Sequence, residues 1–224
     1  MTASVDTVLF DIDDTLCEYR RSGDELLALA FEACEVEPFF TVEDYYARYA
    51  TFADRTDTIT ELRAECFAAI AADNDYDPAL GYDLADAYTD ERDHHNVRAL
   101  PGAREAVATL SNDHRIGVVT NGPPEMQSDK LAALGLDDAF ETVVHAGYDA
   151  PAKPDPEPFH RALSVLDGKP ESAVHIGNSL SSDVAGAQAA GLQSVWLDDG
   201  STPDPVPDHT LASMEDLANP PWRS

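Results

Sequence analysis

Positive charge is what this sequence has least of. Fourteen Lys and Arg stand against 43 Asp and Glu, a formal charge of −29 over 224 residues, and lysine occurs only as Lys130, Lys153 and Lys169. Nucleic acid and anionic membrane surfaces repel such a chain, so neither is expected as a partner. The acidic residues are spread along the chain rather than gathered in a tail, which favours a solvated acidic surface. Its self-repulsion is relieved as the Debye length shrinks, to ~3 Å at 1 M salt, so the expected setting is the salty cytoplasm of a halophilic cell. Cysteine is scarce as well. Cys17, Cys34 and Cys66 are odd in number and lack paired metal-ligand spacing, which speaks against a disulfide framework and for a reducing compartment. No apolar run approaches the ~20 residues of a membrane span, and the first residues lack a basic-then-apolar signal, so a soluble intracellular protein is expected. What is present is a 43% hydrophobic fraction, enough for a packed core. The length suits one domain, or a core carrying a smaller insert.

Val8-Leu9-Phe10 is a short apolar run that stops at Asp11, the pattern of a buried strand delivering polar residues at its end. From Asp24 to about Leu100 the texture is helical. Leu26, Leu27, Ala30, Phe31 and Cys34 recur at helical spacing, as do Tyr45, Tyr49 and Phe52, then Leu62, Cys66, Phe67 and Ile70, then Leu80, Leu84 and Tyr88. Thr41 and Asp77 stand where helices start, and the stretch reads as about four helices with no strand. After Leu100-Pro101-Gly102 helices and strands alternate. Apolar runs at Ile116–Val119, Thr142–Val144, Ala173–Ile176 and Ser194–Leu197 are separated by helices around Ala103–Leu110, Met126–Leu134, Pro158–Leu166 and Val184–Ala190. The 201–207 stretch is a proline-rich loop. Such alternation predicts an α/β fold, a parallel sheet with helices on both faces, whose ligands bind at the carboxyl ends of the strands.

The chemistry is therefore sought just after each apolar run. Asp11 and Asp13 follow the first, two carboxylates that face one pocket if the chain turns there: one a nucleophile, the other a proton carrier. Thr120-Asn121-Gly122 follows the second, offering a hydroxyl, an amide and backbone N–H groups at a helix start, suited to phosphate oxygens. Lys153 lies in a loop stiffened by Pro151, Pro154 and Pro156. After Ile176 come Gly177, Asn178 and then Asp183, which supply the oxygen ligands that magnesium prefers.

Taken together, Asp11-Ile12-Asp13-Asp14-Thr15, Val119-Thr120-Asn121-Gly122, Lys153-Pro154-Asp155-Pro156 and Gly177-Asn178-Ser179 with Asp183 resemble the four motifs of the haloacid-dehalogenase-like superfamily. The segment Gln127, Lys130-Leu131, Leu134-Gly135-Leu136 and Phe140 is similar to the one that follows the second motif. The resemblance implies a Rossmann-like core, residues 1–16 and 98–224, with an α-helical cap inserted at 17–97. It implies a Mg²⁺-dependent phosphatase acting on a small phosphorylated metabolite through an aspartyl-phosphate. Asp11 would be the nucleophile and Asp13 the acid and base. Thr120, Asn121 and Gly122 would hold the phosphoryl oxygens, Lys153 would neutralise the site, and Thr15 would stand near the substrate. Asp11, Asp13 through its backbone carbonyl, Asn178 and Asp183 would bind the metal. The electrostatic need is general: repulsion between an anionic nucleophile and phosphate at ~4 Å costs several kcal/mol at intermediate dielectric.

Asn178 departs from the family pattern, which has Asp there, and removes one negative charge from the metal shell. Weaker Mg²⁺ binding is expected. A 2-haloacid dehalogenase would share the nucleophile but has no use for Asp13. Also open are a sugar phosphomutase, which would use the same aspartates and metal, and a catalytically silent binding module, to which only Asn178 points. Arg20-Arg21 are read as helix-linker salt bridges ahead of substrate steering, and His94-His95 as loop residues. Tyr45, Tyr46, Tyr49 and Tyr88 are read as helical core. The sequence carries no signal of oligomeric state or of the particular substrate.

Overall fold

The computed structural model describes residues 4–52, 55–56 and 58–223. Its strands are β1 (Thr7–Phe10), β2 (Cys17–Tyr19), β3 (Val97–Ala99), β4 (Arg115–Thr120), β5 (Thr142–His145), β6 (Ala173–Gly177), β7 (Gln193–Leu197) and β8 (His209–Leu211). Its α-helices are α1 (Gly23–Ala33), α2 (Val42–Phe52), α3 (Ile59–Asp73), α4 (Pro78–Glu91), α5 (Ala103–Leu110), α6 (Pro124–Leu134), α7 (Glu157–Val165) and α8 (Ala185–Ala189).

Six strands form one parallel sheet in the order β5-β4-β1-β6-β7-β8. The strands alternate their side chains between two faces. Val8, Phe10, Ile116, Val118, Val174 and Ile176 bury one face under Ala106, Val107 and Leu110 of α5 and Leu131 and Leu134 of α6. Leu9 and Val119 turn the other way, onto Phe159 and Leu163 of α7 and Ala187 of α8. Each such side chain contributes roughly 1.5–3 kcal/mol by leaving water. From β1 the chain builds outward through β4 and β5, then returns to the other flank of β1 with β6. The crevice at this reversal is where open α/β sheets bind ligands. Phe10 is in register with Val118 on one side and Ile176 on the other, so the residues after β1, β4 and β6 emerge side by side.

The chain divides into two compact units, Met1–Tyr19 with His94–Ser224, and Arg20–Asp93. The second unit consists of α1 to α4. Its starts are written in the sequence: Ser22 and Glu25 form a capping box at α1, and Thr41 and Asp44 bond reciprocally before α2. Asp77 caps α4 ahead of Pro78. Phe67 is its aromatic hub, with ring centroids 4.9 Å from Phe40, 5.2 Å from Tyr45 and 5.7 Å from Tyr88. A Cβ on Gly81 would lie 2.4 Å from the Ala68 Cα, so α4 rests its backbone directly on α3.

Several expectations need correction. Val97–Ala99, within the stretch read as wholly helical, is a strand that pairs antiparallel with Cys17–Tyr19; three residues are too few to display an alternation. β8 extends the sheet beyond the proline-rich loop. The helix expected over Val184–Ala190 begins earlier, as a wide π-turn over Leu180–Val184. Tyr45 and Tyr88 are core residues, but Tyr46 and Tyr49 are 56% and 38% exposed.

Candidate active site

The loop after β1 is short and tightly wound. The Ile12 carbonyl accepts from the backbone N–H groups of Thr15, Leu16 and Cys17, and Asp14 adopts a left-handed φ of 54°. Asp11 continues the strand, its N–H bonding to the Ile176 carbonyl at 2.9 Å. Its carboxylate meets Lys153, whose ammonium has three acceptors: Asp11 Oδ1 at 2.8 Å, Asp183 Oδ1 at 2.7 Å and the Val119 carbonyl at 2.8 Å. All three donors of the ammonium are thus satisfied in a buried setting, which is what a buried charge requires. The loop carrying Lys153 is tied to β4 by a reciprocal amide pair: Lys153 N–H donates to Asn121 Oδ1 at 2.8 Å, and Asn121 Nδ2 donates to the Lys153 carbonyl at 3.1 Å.

One ammonium serves two buried carboxylates, and Asp183 has further donors that Asp11 lacks. Burial opposes the Asp183 anion, but Lys153 and the His175 Nε2 at 2.9 Å outweigh it and hold that carboxyl well below the usual range. Asp183 Oδ2 also accepts the Ser179 N–H at 3.0 Å. Asp11 keeps less of the compensation. Burial, opposed by Lys153 and reinforced by Asp183 and Asp13, pushes it from 3.8 up to about 7. His175, fully buried, is held below its ordinary value by desolvation. A Cβ on Gly177 would lie 2.3 Å from Asp183 Cγ, so only glycine lets that carboxyl lie against the end of β6.

Asp13 is held by α6. Lys130 Nζ stands 2.5 Å from Asp13 Oδ1, and Gln127 Nε2 donates to Asp13 Oδ2 at 2.7 Å and to Thr120 Oγ1 at 3.0 Å. Lys130, itself fully buried, also packs its ammonium 4.8 Å from the Tyr19 ring centroid. The Tyr19 hydroxyl in turn bonds His94 Nδ1 at 2.7 Å, so His94 is more than a plain loop residue. Because Thr120 Oγ1 accepts from Gln127, its own proton remains to be donated elsewhere.

Of the residues singled out in the sequence, Asp11, Asp13, Thr15, Thr120, Asn121, Gly122, Lys153, Asn178 and Asp183 all belong to the sheet unit. Thr15 is fully buried and reaches Asn178 Oδ1 at 3.5 Å. The Asn178 carbonyl is anchored by Trp196 Nε1 at 2.8 Å. Arg20 belongs to the helical unit, where its neighbour Arg21 pairs with Glu91 at 2.6 Å. Sequence pattern alone assigns no role to Gln127, Lys130 and His175. Lys130 carries one faint signal, a lysine in a chain with three, one helical turn after Gln127 and on the same face.

Among the described residues no three His, Cys, Asp or Glu side chains are gathered to hold a metal by themselves. The donor set nevertheless fits a magnesium ion, which takes few carboxylates and keeps waters and substrate oxygens. The Asp11 and Asp183 carboxylates and the Asn178 amide oxygen are hard oxygen donors.

The comparisons with known proteins agree with this geometry. The family model of haloacid dehalogenase-like hydrolases matches residues 5–191. Phosphoserine phosphatase of Thermus thermophilus is 37% identical over 57% of this chain and 51% of its own, so the chain spans about half the length of that relative. Pyrophosphatase PpaX of Halalkalibacterium halodurans is 28% identical over 95% of both chains. Among solved structures, the magnesium-bound HAD-hydrolase YfnB of Bacillus subtilis superposes with a TM-score of 0.73 at 26% identity, covering 96% of this chain and 97% of that one. With its parallel sheet, its strand-end carboxylates and a family match over most of its length, the chain belongs to the haloacid dehalogenase-like hydrolases.

Proposed function

We propose that the protein is a Mg²⁺-dependent phosphatase of small phosphate monoesters, working through a phosphorylated Asp11. The observation that carries this reading is the shared ammonium, Lys153 bridging Asp11 at 2.8 Å and Asp183 at 2.7 Å at the carboxyl edge of the sheet. Relatives named as phosphatases support it.

In this reading the Asp11 carboxylate attacks phosphorus in line, and the P–O bond to the leaving group breaks. Asp13 delivers a proton to the departing alkoxide, then takes one from the water that hydrolyses the aspartyl-phosphate. Thr120 Oγ1–H and the backbone N–H groups of Asn121 and Gly122 bind phosphoryl oxygens. Lys153 offsets the charge brought together by nucleophile and phosphate, the electrostatic contribution on which phosphoryl transfer chiefly depends. A magnesium ion held by Asp11, the Asp13 carbonyl, Asn178 and Asp183 would supply further positive charge to the phosphate. The helical unit Arg20–Asp93 serves as the cap, and Arg20 within it as a substrate contact. A dehalogenase would leave Asp13 and its two partners from α6 without a task.

The formal charge of −29 supports a salty cytoplasmic setting and partners that are neither nucleic acid nor membrane. Among the described residues no helix is long and apolar enough to cross a membrane. Hydrolysis of p-nitrophenyl phosphate in high-salt buffer, with Mg²⁺ and with EDTA, tests the reading. Metal-dependent turnover lost in Asp11→Asn supports it. Turnover that survives Asp11→Asn, or that ignores EDTA, overturns it.

A further inference from the structure

The geometry points to Gln127 and Lys130 as positioning residues that aim the Asp13 carboxylate, with Gly122 a glycine because the Gln127 amide fills the place of its side chain. This rests on the phosphatase reading and adds to it a device for the proton-transfer group.

Asp13 is the most exposed of the central carboxylates: its side chain is 45% accessible, against 8% for Asp11 and 2% for Asp183. Left alone, an accessible aspartate samples several rotamers in water. Here each oxygen has its own donor, Lys130 on Oδ1 and Gln127 on Oδ2, and both donors come from one turn of α6. A carboxylate only accepts, so the Gln127 amide must turn its nitrogen toward Asp13. The same nitrogen donates to Thr120 Oγ1, which fixes the spacing between the proton carrier and a phosphoryl-binding hydroxyl. Gln127 Oε1 meanwhile is buried with no protein partner among the described residues. An amide serving stability alone would satisfy both ends, because a buried unpaired carbonyl is destabilising.

Gly122 completes the arrangement. A Cβ there would lie 1.9 Å from Gln127 Nε2 and 2.6 Å from its Cδ. The glycine of the Thr120-Asn121-Gly122 turn thus leaves room for a second residue to reach Asp13.

The test separates proton delivery from the rest of catalysis. p-Nitrophenolate leaves without a proton, whereas an alkoxide needs one from Asp13. Values of kcat/KM are measured for p-nitrophenyl phosphate and for an alkyl ester that the wild type turns over, chosen from phosphoserine, glyceraldehyde 3-phosphate and β-glycerophosphate. Gln127→Leu and Lys130→Met are expected to lower the alkyl value by about 100-fold or more, and the aryl value by less than about tenfold. Gly122→Ala should lower the alkyl value at least as far as Gln127→Leu does, and the double variant Gly122→Ala/Gln127→Leu should be no worse than Gly122→Ala alone, because both changes act through one contact. Gln127→Leu keeps the size of the side chain and removes the unpaired carbonyl, so its melting temperature should hold even where Lys130→Met fails to fold. Equal losses on both esters, or no loss, overturn the positioning role while leaving the phosphatase reading intact. A folded wild type that hydrolyses neither class of ester overturns that reading and this one with it.

Discussion

Lys153 and Asp183 form a buried ion pair at the carboxyl edge of the sheet, 2.7 Å apart with each side chain 2% exposed. Asp11 draws on the same ammonium at 2.8 Å, and this sharing has consequences for stability that can be measured without any substrate.

The Asp11 carboxyl rises from 3.8 to about 7 in the folded protein. A group whose folded value is raised contributes stability below its unfolded value and loses it as pH rises through the folded value. In metal-free protein, Asp11→Asn is therefore expected to raise the melting temperature at pH 8, with the gain shrinking toward pH 5. Each tenfold change in the acid constant is worth roughly 1.4 kcal/mol. Thermal melts in EDTA across pH 5–8 read this out, and a gain independent of pH would contradict it. Added Mg²⁺ should stabilise the wild type more than Asp11→Asn.

Asn178 follows the end of β6 and meets Thr15 through its uncharged amide oxygen. Asn178→Asp is expected to lower the Mg²⁺ concentration for half-maximal activity by about tenfold, the equivalent of ~1.4 kcal/mol. Metal-free melts should show the reverse, a less stable variant, because a further carboxylate is then added to an edge already rich in them. An unchanged magnesium requirement would remove Asn178 from the metal shell.

Gly177→Ala places a methyl 2.3 Å from Asp183 Cγ. The carboxyl must move, and with it the bonds from Lys153, His175 and the Ser179 N–H. Destabilisation of about 1–3 kcal/mol is expected, together with loss of most activity. A variant with full turnover would show that Asp183 tolerates displacement.

Ionic strength should act on the whole molecule. With a net charge of −29, raising NaCl from about 0.1 M to 1 M shortens the Debye length from ~10 Å to ~3 Å and should raise the melting temperature steadily. Neutralising substitutions on the exposed surface, such as Glu37→Gln, should flatten that dependence.

The sheet was legible because its strands are continuous apolar runs, Val8–Phe10 and Ala173–Ile176 among them, each ending in polar residues. The residues of the four motifs could be placed because parallel strands deliver them to one edge. Lys130 and Gln127 were harder, since a buried polar residue on a helix looks like any solvated one until its partner 117 or 114 positions away is known. The β2–β3 pair was hidden for another reason: three-residue strands derive their stability from each other and from the loop after Asp11, and so leave no periodic trace of their own. His175 hides within an apolar strand, where only the fold supplies its carboxylate partner.

That small β-pair has a consequence for how the chain can change. Tyr19 is in register with Val97, so the two places where the sheet unit opens to receive Arg20–Asp93 are neighbours across a ladder. Topologically the whole helical unit is the loop of one hairpin. The entropy of closing a loop grows only logarithmically with its length, so sequence inserted between Tyr19 and His94 can be lengthened, shortened or exchanged while the two strands keep the same register. The hairpin is thus a single point of attachment, through which one unit can vary in sequence while the other keeps its carboxylates where they are.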